Sequence, residues 1–236
     1  MTATVVLVHG AWHGAWCWDL VVDRLQRLDV PVVAIDLPGH GASTEPLTDL
    51  HGHGDAVHAA LDAIDGPVVL VGHSYGGAAI TDAGTHPSVR HLVFLTAFSL
   101  DAHESIIVND LPDGEHAELA DAIQFTEDGT IVVDPARAGG IFYADCEPAG
   151  VATYISNLVP EGAAGFSQLP RAVAWRERPS TYVVCTEDRA IAPALQRRLA
   201  TRCNEVIEWP TSHSPFASRP ELVSDLLAGM ARTFEP

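Results

Sequence analysis

Lysine is missing from all 236 residues, and the 13 basic side chains, every one an arginine, face 31 aspartates and glutamates. A formal charge of −18 repels polyanions, so nucleic acid and anionic membrane surfaces are not expected partners. With no lysine amine, every Schiff-base mechanism is closed. Cysteine is scarce: Cys17, Cys146, Cys185 and Cys203 stand apart with no C-x-x-C pair. They read as buried thiols, not as disulfides or a metal site. No run approaches the roughly 20 uninterrupted apolar residues of a membrane span. The opening Met1-Thr2-Ala3-Thr4 carries no basic region before an apolar strand, so no signal peptide and a cytoplasmic location are expected.

What is present is a chain 47% hydrophobic, enough for one full core. Short apolar runs predict strands at Thr4–Val8, Val32–Ile35, Val68–Val71, His91–Leu95, Thr181–Cys185 and Glu205–Glu208. Helical patterns fall between them, at Trp16–Leu28, Ala56–Ile64, after residue 76, at Pro193–Thr201 and Pro220–Met230. Strands alternating with helices predict an α/β fold, a mainly parallel six-stranded sheet flanked by helices. The rhythm breaks between Ser99 and Pro179. There Glu115–Ile123, Pro135–Tyr143 and Pro148–Leu158 read as helices, and Phe125–Val133 as a hairpin whose Asp128-Gly129 favours a type I′ turn. The expected division is a core of residues 1–98 and 180–236, with 99–179 inserted as a mainly helical lid over the strand ends.

Three segments carry chemistry. Gly72-His73-Ser74-Tyr75-Gly76, between the third strand and a helix, has the context of a nucleophile elbow: a turn so tight that the serine is strained and a Cβ at Gly72 or Gly76 would collide. A serine nucleophile needs a base and an acid to orient it. Past the fifth strand stand Glu187 and Asp188; Asp101, after the fourth, is a more distant alternative. Past the sixth stands His213, on a loop between Pro210 and Pro215, suited to act as base. The loop His9-Gly10-Ala11-Trp12 after the first strand matches an oxyanion loop, which assigns the backbone N–H groups of Ala11 and Tyr75 to a developing negative oxygen. Trp12, Phe142, Tyr143, Phe166 and Trp175 are candidates to line an apolar pocket; packing within the lid is the alternative for the last four. His51, His53, Asp55 and His58 mimic a metal cluster but read as a solvated helix start, and no metal is assigned.

Together the stretch Val6–Trp18, Gly72–Gly77, Thr186-Glu187-Asp188 and the Phe125–Gly129 hairpin resemble the α/β-hydrolase superfamily. The resemblance is strongest to the branch of plant methyl esterases, hydroxynitrile lyases and related bacterial esterases. It implies Ser74, Asp188 and His213 as triad, no cofactor, and pairing into dimers as in relatives. The lyases resemble one another in a threonine and a lysine where this chain has Gly10 and Ser214, and in an acid where it has His73. A cation is what would stabilise departing cyanide. The expectation is therefore a serine carboxylic-ester hydrolase for a small or medium apolar ester. The alternatives are a non-hydrolytic lyase or elimination enzyme, a thioesterase or lactonase, and a slow-turnover small-molecule receptor.

Overall fold

The apolar runs become strands almost residue for residue. The computed structural model describes residues 2–108 and 117–234. In chain order it has β1 (Thr4–Val8), β2 (Val32–Ile35), β3 (Val68–His73) and β4 (Val89–Leu95), an insertion bearing β5 (Ile123–Phe125), β6 (Thr130–Val133) and β7 (Glu161–Gly162), then β8 (Ser180–Cys185) and β9 (Glu205–Trp209). The large sheet runs β2-β1-β3-β4-β8-β9, with every neighbouring pair parallel. Its central β3 is buried at all six residues, as expected of a strand covered on both faces.

The helices are α1 (Asp19–Arg27), α2 (Leu50–Asp62), α3 (Gly76–Ala83), α4 (Pro135–Phe142), α5 (Pro148–Ser156), α6 (Ala164–Ser167), α7 (Pro193–Ala200), α8 (Pro215–Ser218) and α9 (Pro220–Arg232). α1 packs on α9, and α2 on α3. Among the described residues no helix is long and apolar enough to cross a membrane.

The chain steps from β1 outward to β2, then back across to β3. That reversal leaves a crevice at the carboxyl ends of β1 and β3, the place where such sheets take ligands. Val8 pairs with Gly72, so the loop after β1 and the Ser74 turn emerge side by side.

Several elements differ from the sequence expectation. α2 begins at Leu50, not Ala56, because the Asp49 side chain accepts the Gly52 N–H at 3.0 Å and caps the first turn. The expected first helix divides into a 3-10 turn (Ala15–Trp18) and α1. Glu115 and His116, the start of an expected helix, lie outside the described residues; the rest of that segment holds a 3-10 turn, Glu118–Asp121. The hairpin forms, with β5 antiparallel to β6, but not through a type I′ turn. Within it only Gly129 has positive φ, +83°, while the Thr126 N–H donates to Thr130 O and the Gly129 N–H to Thr126 O. That is a three-residue loop closed by a left-handed glycine. β7 joins β6 as a third strand that no local pattern announces.

Candidate active site

The Ser74 turn is held by packing that its neighbours permit only to glycine. Ser74 has φ +53°, a conformation that is uncommon outside glycine and clusters at functional sites. A Cβ on Gly72 would lie 2.6 Å from Gly76 O, at the start of α3, and one on Gly76 would lie 2.5 Å from His9 O, past the end of β1. The Ser74 carbonyl accepts the N–H groups of Gly77 (3.0 Å) and Phe98 (3.1 Å). Gly10 abuts the serine directly: a Cβ there would stand 2.9 Å from Ser74 Cβ. A side chain at position 10 would therefore require His73 or Ser74 to shift.

The loop after β8 settles which acid meets the histidine. His213 Nδ1 lies 2.8 Å from Asp188 Oδ2, both side chains buried. The same oxygen accepts from Thr96 Oγ1 (2.5 Å) and Gln196 Nε2 (2.9 Å), and Oδ1 accepts the N–H groups of Ala190 (2.7 Å) and Ile191 (3.0 Å). Five donors converge on one buried carboxylate, which keeps a charge there tolerable. Glu187 is exposed, and Asp101 pairs with Arg176; neither meets His213. Thr96, itself at φ +40°, and Gln196 are not legible in the sequence, since nothing local marks a partner across the fold.

Two contacts bind the His213 loop. His73 Nε2 donates to His213 O at 2.9 Å, and the two rings lie 4.6 Å apart. This brings the imidazole beside the residue preceding Ser74. From the insertion, Asp145 accepts both the N–H and the hydroxyl of Ser212. Neither contact has a local signal in the sequence.

Neutral imidazoles surround this centre. Burial lowers the pKa of His73 well below its ordinary value, and the charge of His213 adds to the effect. Burial likewise lowers His13 to about 4 and His9 well below the usual range. Their partners fix the tautomers: Tyr143 Oη meets His13 Nε2 at 2.7 Å, and the Leu37 N–H donates to His9 Nε2 at 3.1 Å.

Ser74 opens into a cavity of about 230 Å³, bounded by Ala11, Trp12, Tyr75, Phe98 and Phe166 and by an aliphatic wall of Ile106, Leu119, Ile123, Ile191 and Leu195. Among the described residues no charged side chain lines it. Trp12 and Phe166 line it. Phe142, Tyr143 and Trp175 do not. Phe142 is buried against Trp12, His13 and His213. Tyr143 bonds His13, and Trp175 donates to Leu100 O at 2.9 Å. The aliphatic wall escapes sequence reasoning, because each of its members is an ordinary apolar residue until the fold assembles them. Among the described residues, the backbone N–H groups of Ala11 and Tyr75 donate to no other backbone group, and both residues face the cavity.

The expected solvated helix start at His51–His58 needs correction, because the longer α2 draws His53 into the interior. There the Tyr75 hydroxyl donates to His53 Nδ1 (2.9 Å) and His53 Nε2 donates to Pro38 O (3.3 Å). His53 adjoins His40, which forms a buried ion pair with Glu161 of β7 at 3.1 Å. With both His53 nitrogens engaged, this trio reads as a strut between core and insertion.

The fold and this arrangement define an α/β hydrolase. A family model described as the alpha/beta hydrolase family matches residues 5–226, and the chain belongs to that family. Methylesterase 2 of Arabidopsis thaliana is 29% identical, over 97% of this chain and 96% of the relative. An alpha/beta hydrolase of Aspergillus novofumigatus is 28% identical, over 96% of each. The crystal structure of a pyrethroid hydrolase from Sphingobium faniae superposes with a TM-score of 0.87 at 26% identity, covering 99% of both chains. The resemblance to the plant methylesterase branch is thus borne out, and the chain stands among hydrolases whose named relatives include esterases.

Proposed function

We propose that this chain is a serine carboxylic-ester hydrolase that works through an acyl-enzyme. Ser74 attacks the ester carbonyl while His213 takes its proton, and Asp188 holds the imidazole in the tautomer that leaves Nε2 free to do so. The backbone N–H groups of Ala11 and Tyr75 stabilise the oxyanion, worth roughly 3 kcal/mol for one well-placed donor. His213 then returns the proton to the departing alcohol and activates water for deacylation. Because His73 and His13 stay neutral, the imidazolium formed on His213 meets no charge on either ring.

The observation that carries this reading is the His213–Asp188 contact at 2.8 Å, with the carboxylate locked by four further donors. The substrate is an uncharged, largely apolar ester, since the described walls beside Ser74 are aliphatic, aromatic and small. Residues 99–179 act as the lid that supplies much of that wall. Cyanohydrin cleavage is disfavoured: none of the described lining residues is a cation for departing cyanide, and Gly10 leaves no room for the lyase threonine. The Arabidopsis methylesterases and the pyrethroid hydrolases make methyl esters and bulky apolar esters the first substrates to try. Ser74→Ala should lower turnover of p-nitrophenyl butyrate by roughly 10⁴- to 10⁶-fold with the fold intact; unchanged turnover would refute the assignment.

A further inference from the structure

Trp12 lines two separate cavities. On one side it lines the 230 Å³ space beside Ser74. On the other lies a cavity of about 190 Å³ whose described lining residues all carry apolar side chains, Val132, Pro135, Ile155 and Leu158 among them. The indole is held in place between them from several directions. Its Nε1–H donates to Ile131 O at 2.8 Å, the residue's carbonyl accepts the Val159 N–H at 3.0 Å, and the ring packs 5.9 Å from Phe142 and 5.8 Å from Phe166. Its backbone has φ +63°, which a bulky side chain adopts only where its surroundings impose it. Only 4% of its surface is exposed.

We propose that Trp12 is a partition that sets the length of apolar chain the Ser74 cavity admits, and that the chamber behind it is a dormant extension of the same binding site for a longer aliphatic chain. The proposal rests on the ester-hydrolase reading for its biological meaning, but its physical content is a matter of binding. An alkyl chain entering beside Ser74 runs along Phe166 and the Ile123 side of the cavity and stops at the indole. Without the indole it continues between β6 and the carboxyl end of α5, against Val132, Ile155 and Leu158. Each further methylene buried there strengthens binding roughly fourfold.

The test measures binding of straight-chain alcohols, hexanol to dodecanol, by calorimetry, alongside hydrolysis of p-nitrophenyl alkanoates of matching acyl lengths. In the wild type, affinity should stop rising with length once the first cavity is full. In Trp12→Ala it should go on rising over three or more further methylenes, a gain of at least tenfold for the longest alcohols relative to the shortest. Trp12→Phe, which loses the bond to Ile131 but keeps a ring, should retain the wild-type limit. Refilling the chamber, in Trp12→Ala/Leu158→Trp, should restore it. If Trp12→Ala proves unstable, Trp12→Leu serves the same comparison. Length profiles that stay parallel in the wild type and in the folded Trp12 variants would overturn the proposal. A wild type that shows the binding limit yet hydrolyses none of the esters would overturn the ester-hydrolase reading and leave the partition supported.

Discussion

Two buried carboxylate–imidazole pairs stand at the ends of this molecule's strands, and they are built differently. Asp188 takes four donors besides His213, all from the core: the end of β4, its own loop and α7. Glu161, on β7 of the insertion, takes the Gly162 N–H and faces His40. His40 in turn points its Nδ1 to Pro38 O at 3.1 Å, so this imidazole is spent at both ends. His213 engages the carboxylate through Nδ1 alone. The first pair leaves the second nitrogen of His213 free of the carboxylate, as the proposed mechanism requires; the second fastens the insertion to the core beneath Tyr75. A buried charge–imidazole pair is therefore evidence of function only when its second nitrogen has somewhere to act.

Removing one member from each pair should separate these roles. Asp188→Asn should lower kcat by about 10⁴-fold, because the amide favours the wrong imidazole tautomer, a loss far larger than the stability cost of turning its NH2 toward the donors that meet Asp188; steady-state kinetics on the folded protein and a thermal melt check both halves. His40→Ala should do the reverse. It strands Glu161 in the interior and should cost about 3 kcal/mol of stability, read by urea unfolding, with a smaller effect on kcat.

The second pair also sets a pH dependence. Burial works against charging His40, but the Glu161 carboxylate 3.1 Å away outweighs it, so its pKa is raised. A raised folded-state value means that the pair stabilises most below the unfolded imidazole pKa of about 6.5 and loses that contribution as pH climbs through the folded value. The stability difference between wild type and Glu161→Gln should therefore be largest in mild acid and shrink toward alkaline pH. A difference that grows with pH would show that the ring is not charged there.

A third contact ties the two regions together. Asp145→Ala frees Ser212 and with it the His213 loop, and should cost about tenfold in kcat with KM little changed, as expected of a positioning residue. The smallest expected effect lies in the hairpin turn beside β7. A Cβ at Gly129 meets no atom within 4 Å but sits at φ +83°, so Gly129→Ala should cost about 1 kcal/mol in stability with kinetics untouched.

The same contrast marks what can be read from the chain. The core strands are legible because strands buried on both faces are unbroken apolar runs, as in Val68–Val71. The elbow and the His213 loop are legible because tight turns need glycine and proline at fixed places. The insertion is not, since its elements are short and take their meaning from contacts. β7 is two residues long, and Phe142, Tyr143 and Trp175, aromatic like Phe166, turn away from the cavity that Phe166 faces. The start of α2 is set by the Asp49 cap, while Gly52 and Gly54 in its first turns interrupt the helical pattern in sequence. Ile106 and Leu119 carry no sign of the wall they form. Residues set by local backbone geometry speak in sequence; residues set by distant packing do not.

The central claim is that Ser74 is activated by His213. Its most direct test is to treat the protein with diisopropyl fluorophosphate and locate the adduct by peptide mass spectrometry. The account predicts one phosphoryl group on Ser74, none in Ser74→Ala, and labelling slowed by several orders of magnitude in His213→Ala. Modification of Ser74 at the same rate with and without the imidazole at position 213 would contradict it.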